Sequence, residues 1–225
     1  RPLVLLWKRA VKEGRLPTDA ELAEVMELVG GDRISISPVT DRNLDVSITK
    51  AEPGVQLTLD GIAKGFAVDK AVEAMRRGKG GELLTGGLVE IGGDLRCFGT
   101  PANANFWTVG VQSPWEAGKF LLRLRPIDEA GFAVATSGNY RRFFEIDGKR
   151  YSHILDPRTG RPVDAVPSVT VVAPTCMAAD GWATALSVLG VEEGIKLIEQ
   201  QEGIEAMLIT GTPERVVFNV STGFR

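Results

Sequence analysis

Apolar and polar positions recur along this chain with two different periods, and the switches between them lay out its elements. Thr18-Asp19 precede ELAEVMELVG, where Leu22, Val25, Met26 and Val29 share one helical face and Gly30-Gly31 end it, so the spacing predicts an amphipathic helix. RPLVLLWKRAVKEG at the start is apolar and then basic, the pattern of a short helix that begins buried. ISISP and LDVSIT predict short strands around a turn at Asp41-Arg42-Asn43. After the Pro53-Gly54 turn, residues 55–59 predict a strand. A helix then starts near Gly61 and ends near Arg77, with Ile62, Phe66, Val68, Ala71, Val72 and Met75 as its apolar stripe.

Period-2 and β-branched patterns dominate the remainder. ELLTGGLVEIGGDLRCFG is strand-like but punctuated by two Gly-Gly pairs, which signal close backbone approach to a ligand or another strand. WTVGVQSP, KFLLRLRPI, FAVAT and SVTVVA predict four further strands. MAADGWATALSVLG and VEEGIKLIEQQ predict two helices, and EAMLIT and ERVVFNVS two closing strands around Gly211-Thr212-Pro213. FFEIDGKRYSHIL predicts a β-hairpin with Asp147-Gly148 as its turn, which places His153, the single histidine, near the end of the second strand. Turn-forming clusters flank that hairpin at Thr136-Ser137-Gly138-Asn139 and at Asp156-Pro157-Arg158-Thr159-Gly160. Hairpins mixed with strand–helix units, without repeats or low-complexity linkers, point to an α+β fold.

The bulk numbers change this picture little. A length of 225 residues, 44% hydrophobic and 24% charged, suits an ordinary globular chain with one large core or two small ones. A net charge of −3 gives no reason to expect nucleic acid as a partner. Cys97 and Cys176, far apart in sequence, imply neither a disulfide framework nor a zinc site. No apolar run approaches the roughly 18 residues of a membrane span. The chain starts at Arg1 rather than Met, as expected of a processed form or a fragment of a longer product.

Four constellations could bear chemistry. Asp180 and Thr184, four apart in AADGWATA, lie on one helical face and suit a hard cation such as Mg²⁺; equally, Asp180 could complement the helix dipole while Thr184 packs. Asp60-Gly61-Ile62-Ala63-Lys64-Gly65 opens a helix after a strand, where free N–H groups and a lysine form an anion site, most often for phosphate, or where glycine permits tight packing. Its spacing is not that of a P-loop. Val89-Glu90-Ile91-Gly92-Gly93-Asp94 is either a ligand-contacting step or a type II turn. His153 is either a proton-transfer group or a hydrogen-bonded structural residue.

Taken together and in order, GIAKGFAVDKAV, VEIGGD, ATSGNYRR, YSHILDPRTGRPV and AADGWATALSVLG resemble the ApbE-type FAD:protein FMN transferases over nearly the whole chain. The resemblance implies a single domain over 1–225 with an α+β, T-fold-related architecture of mixed sheets and packed helices, lacking the family's N-terminal segment. It implies Mg²⁺-dependent cleavage of FAD, attachment of the FMN half to a Thr or Ser hydroxyl of an acceptor flavoprotein, and release of AMP. The expected acceptor is a flavin-carrying subunit of a respiratory redox complex with a D-x-x-S/T-G-A-S/T-like segment. Carried over by position, the metal ligands are the Gly61 carbonyl, Asp180 and Thr184. Lys64 and Ile154 are cofactor-contacting positions, and His153 assists the transfer as base or as a hydrogen-bond donor to phosphate. Thr58, also assigned to the cofactor, stands where the family usually carries Asp, two residues before the position of Asp60. RPLVLLWK resembles a segment well inside the family sequence, so a molecule without the preceding part is expected to bind flavin weakly. The resemblance further implies a periplasmic location or a lipoprotein attached to the membrane through the missing N-terminus. Two other functions fit the same residues: an FAD pyrophosphatase giving FMN and AMP, and a non-catalytic flavin-binding protein.

Overall fold

A computed structural model describes residues 1–37, 46–125, 131–138 and 143–224. In chain order its elements are α1 (Pro2–Lys12), α2 (Asp19–Met26), β1 (Ile34–Ile36), β2 (Ile48–Lys50), α3 (Ala63–Arg77), β3 (Gly86–Ile91), β4 (Asp94–Gly99), β5 (Val109–Gln112) and β6 (Phe120–Leu124). There follow β7 (Phe132–Gly138), β8 (Phe143–Ile146), β9 (Lys149–Ser152), β10 (Ser168–Ala173), α4 (Cys176–Ile198), β11 (Glu205–Thr212) and β12 (Arg215–Val220). The fold is α+β, as the alternation of patterns predicts. The chain divides into two compact units, residues 1–58 with 143–163 and residues 59–142 with 164–225.

The first unit is built on α1, whose Leu3, Leu6 and Trp7 are buried with Leu22 of α2 and Ile146 of β8. Trp7 lies stacked on Phe144 at 6.4 Å between ring centroids and against Tyr151 at 6.1 Å. Its indole N–H donates to the carbonyl of Gly160 at 2.8 Å, which satisfies the polar end of an otherwise apolar side chain. That carbonyl ends the Asp156–Gly160 turn, where Gly160 has a φ of 70°. Asp156 anchors the turn by accepting the Arg158 N–H at 2.8 Å and the Arg158 guanidinium at 2.9 Å. α2 opens with a capping box between Thr18 and Glu21, as its sequence predicts. In the β8–β9 hairpin, Asp147 and Gly148 have φ of 50° and 71°, the two positive values that a type I′ turn requires.

The second unit is a six-stranded antiparallel sheet in the order β12-β11-β10-β7-β4-β3. One face packs against α4, burying Ala135, Val169, Val171, Ala206 and Leu208 against Ala179, Ala183 and Leu186. Alternate residues on the other face, Val134, Met207 and Ile209, join Val109, Val111 and Leu124 of the β5–β6 hairpin in a second core. Burial of both faces explains why AMLI reads as an unbroken apolar run and why Ser168 and Thr170 of SVTVVA are buried along with its valines. α4 is interrupted at Gly190, whose φ of 79° leaves the helical region, so it consists of the two helical stretches the pattern predicts.

Several expectations need correction. Residues 55–59 form no strand; only Val55 is buried, and the exposed residues 56–59 belong to none of the sheets among the described residues. The α3 stripe is offset from its apolar pattern: Gly65, Val68, Asp69 and Val72 are buried, whereas Ile62, Phe66 and Met75 are exposed. Thr136–Gly138 is not a turn but the end of β7, held by pairing to β10, and Asn139 lies outside the described residues. So does the Asp41-Arg42-Asn43 turn. Gly92 and Gly93 have φ of 61° and 99°, which makes the β3–β4 connection a type I′ turn rather than type II. The final hairpin turns at Pro213-Glu214, because Thr212 already pairs with Arg215.

Candidate functional site

The second unit gathers two pairs that the sequence keeps more than 100 residues apart, Gly61 with Lys64 and Asp180 with Thr184, around the starts of α3 and α4. The close crossing of these helices depends on Gly65, where a Cβ would lie 2.2 Å from the Cys176 carbonyl oxygen. Only glycine lets the two backbones approach so nearly.

At this crossing each helix caps the other. The first N–H groups of a helix have no partner within it. On α4 they are met by Asp69 of α3, which accepts from Cys176 N–H at 3.0 Å and Met177 N–H at 2.9 Å. On α3 the Gly65 N–H donates at 3.1 Å to the Oδ2 of Asp180 from α4. Asp69 is also paired with Arg96 of β4 at 2.8 Å. Thus Asp180 does not serve the dipole of its own helix. Its carboxylate takes the Gly65 N–H, one of the helix-start groups in which the sequence suggests an anion site.

Lys64 stands between two buried carboxylates. Its Nζ is hydrogen-bonded to Asp94, the first residue of β4, and lies 3.8 Å from Asp180 Oδ1. Asp94 is 1% exposed and Asp180 3%. Burial, above all, holds the Asp94 carboxyl above the usual carboxylate range; the hydrogen bond and charge of Lys64 oppose that, and Asp180 adds to it. The β3–β4 turn reaches the same place, since a Cβ at Gly92 would touch the Lys64 stem at 3.8 Å. Burial and the nearby carboxylates of Asp94, Asp69 and Asp180 push the Cys176 thiol far up, so it stays a neutral packing group. Cys97 and Cys176 are both buried and free, not joined in a disulfide.

Thr184 lies one helical turn after Asp180, its hydroxyl donating to the Asp180 carbonyl at 3.1 Å and lying 3.5 Å from the Ser137 hydroxyl of β7. Gly61 lies against it: a Cβ there would be 3.5 Å from the Thr184 Oγ1. Among the described residues no three His, Cys, Asp or Glu side chains cluster to hold a metal. The donors that do converge are one carboxylate, two hydroxyls and backbone, an all-oxygen set that matches a hard cation retaining some of its waters. The charge balance agrees. Two buried carboxylates share one ammonium, and a buried charge left without a counter-ion is costly.

Thr58, His153 and Ile154 belong to the first unit. Thr58 is exposed at the end of the 56–58 stretch, and His153 directly follows β9 and is half-buried. Ile154 is 8% exposed, its N–H donating to Ser152 Oγ at 3.1 Å and its carbonyl accepting from Val163 N–H at 3.0 Å. Sequence reading gave no role to Asp69 or Arg96. A signal was there: the spacing Gly65, Val68, Val72 carries Asp69 onto the buried face, and a carboxylate in such a place must find donors.

A family model described as the ApbE family matches residues 1–208. The chain is 34% identical to an FAD:protein FMN transferase of Haemophilus influenzae, over 100% of this chain and 63% of that protein. It is likewise 34% identical to one of Vibrio cholerae, over 100% of this chain and 64% of that protein. Among solved structures, it resembles the ApbE protein of Thermotoga maritima with a TM-score of 0.80 and 31% identity, covering 99% of this chain and 68% of that one. The flavin transferase ApbE of Vibrio cholerae gives a TM-score of 0.76 and 32% identity, covering 99% and 67%. The chain spans a little under two thirds of the length of these curated relatives. The family match over residues 1–208 and the similarity to these relatives and folds agree, and the chain belongs to the ApbE family.

Proposed function

We propose that this chain transfers FMN from FAD to a Thr or Ser hydroxyl of an acceptor flavoprotein in a Mg²⁺-dependent reaction that releases AMP. The observation that carries this reading is the Asp180–Lys64–Asp94 cluster beside Thr184 and Gly61, a buried oxygen-rich place with one ammonium for two carboxylates. Asp180, Thr184 and the Gly61 carbonyl are the residues that would hold the metal. When bound there, Mg²⁺ neutralises charge on diphosphate oxygens, the main requirement for cleaving a phosphoanhydride. Lys64, 31% exposed at its side chain, offers its ammonium to the same oxygens. In the transfer, the acceptor oxygen forms a bond to the FMN-side phosphorus as the bond to the AMP-side oxygen breaks. His153 takes the hydroxyl proton, and AMP leaves with the bridging oxygen. The roles of His153, Ile154 and Thr58 rest on the family pattern of the residues around them. On that pattern the acceptor is a flavin-carrying subunit of a respiratory redox complex, and the location periplasmic or lipoprotein-anchored.

The test is incubation with FAD, Mg²⁺ and an acceptor domain bearing the D-x-x-S/T-G-A-S/T segment, followed by mass spectrometry. An acceptor heavier by one FMN is expected. AMP with free FMN and no adduct would favour hydrolysis instead, and no product at all a flavin-binding role. Asp180→Ala should abolish the Mg²⁺-dependent turnover, and a variant with full rate would remove the metal assignment.

A further inference from the structure

One side chain in this cluster has neither a ligand role nor a contact role in the reading above. Asp94 is almost wholly buried, starts β4 immediately after a tight turn, and takes the hydrogen bond of the Lys64 ammonium. Its position is fixed by the Gly92-Gly93 turn and by the pairing of Asp94 with Ile91. Lys64, by contrast, is a flexible stem with two anionic partners within reach. One of those partners, Asp180, is the carboxylate that a divalent cation would need. An ammonium seated fully on Asp180 would compete for the same oxygen, because two cations cannot share one carboxylate oxygen at close range without strong repulsion. In the structure Lys64 instead closes on Asp94 and stands 3.8 Å from the nearest Asp180 oxygen, beyond hydrogen-bond distance.

We infer that Asp94 is a positioning residue that draws the Lys64 ammonium away from Asp180 and so keeps that carboxylate open to a divalent cation. The inference rests on the reading of Asp180, Thr184 and Gly61 as a cation site. It adds a division of labour within VEIGGD and GIAKG: one carboxylate for the metal, one for the lysine. The lysine is thereby parked beside the metal position, where it can meet the diphosphate without occupying the metal's ligand.

The test is Mn²⁺ binding by isothermal titration calorimetry on the full chain, with no FAD and no acceptor present, together with a crystal structure of one variant. Wild type is expected to bind one Mn²⁺. Asp94→Asn, which keeps the shape but not the charge, should weaken binding at least about tenfold as Lys64 falls onto Asp180. Its crystal structure should show the ammonium about 2.8 Å from an Asp180 oxygen. The double variant Lys64→Met/Asp94→Asn removes the competitor and should recover affinity to within about threefold of wild type. Wild-type affinity in Asp94→Asn would overturn the inference alone. So would a double variant as weak as the single one, or a Lys64 that stays clear of Asp180 in the Asp94→Asn crystal. A wild-type chain that binds no Mn²⁺ would instead overturn the cation-site reading, and this inference with it.

Discussion

The start of α2 and the starts of α3 and α4 meet the same need by opposite means. On α2, Thr18 and Glu21 exchange hydrogen bonds within a single turn, Glu21 N–H to Thr18 Oγ1 at 3.2 Å and Thr18 N–H to Glu21 Oε2 at 2.9 Å, at an exposed position. On α3 and α4 buried carboxylates from the other helix, 115 and 107 residues away in sequence, take N–H groups of the first turn. Thr175 also caps α4 locally, accepting from Ala178 N–H at 3.2 Å. A local cap stabilises its own helix and nothing else. An exchanged cap fixes two helices to each other, and it delivers Asp180 to the place where Lys64, Thr184 and Gly61 converge. The difference shows how a fold can use an ordinary requirement of helix ends to bring side chains remote in sequence together.

The comparison breaks most severely at Asp69. Asp69→Ala leaves two helix N–H groups and Arg96 without their acceptor, and urea denaturation should show a loss of about 3–5 kcal/mol, the cost of breaking a buried pair. A loss below about 1 kcal/mol would mean that the exchanged caps do not hold the helices together. Gly65→Ala comes next. Its Cβ would meet the Cys176 carbonyl at 2.2 Å, so the helices must part, at about 1–3 kcal/mol, and with them the Gly65–Asp180 hydrogen bond. The same denaturation experiment measures it, and Mn²⁺ calorimetry on the folded variant should show weakened binding. Thr18→Ala should cost about 1 kcal/mol and leave Mn²⁺ binding untouched, which sharpens the contrast between local and exchanged caps.

The smallest expected effect is a pH dependence in the first unit. Hydrogen bonding to Arg15, and next to the Thr18 backbone, holds the Glu21 carboxyl well below the usual glutamate range. Arg158 does the same for Asp156. A carboxyl lowered in this way binds its proton less readily in the folded chain than in the unfolded one, so protonation favours unfolding. The stabilisation is complete above the ordinary carboxylate values near pH 4 and is lost as the pH falls below them. Hydrogen-exchange mass spectrometry should therefore show α2 and the 156–160 turn losing protection below about pH 4. Unchanged protection down to pH 2 would remove this assignment.

The sequence disclosed what is local and concealed what is exchanged. The capping box of α2, the Asp147-Gly148 turn, the β-branched run of β10 and the break of α4 at Gly190 all follow from neighbours within a few residues. The α3 stripe was misplaced because its buried face carries Gly65 and Asp69, neither of which scores as apolar; both are buried by the crossing with α4, which no window around them contains. Residues 55–59 have strand-like composition but join none of the sheets among the described residues, and β-propensity without a ladder makes no strand. For the candidate site, Asp180, Thr184, Lys64 and Gly61 were visible as motif residues. The capture of Lys64 by Asp94 and the capping role of Asp180 were not, since each joins segments that only the sheet order brings together.

The division of the chain has a consequence for anyone hoping to study its halves. The polypeptide passes between the two units three times, at 58/59, 142/143 and 163/164. Neither can be excised by one cleavage or expressed as one continuous stretch. The sheet that supports Asp94 and Asp180 needs β7, from before the excursion through β8 and β9, to lie beside β10, from after it. Ribosomal synthesis must therefore complete the 143–163 detour before the central strand pair can close. Any fragment ending before residue 168 lacks the strand on which β7 is laid.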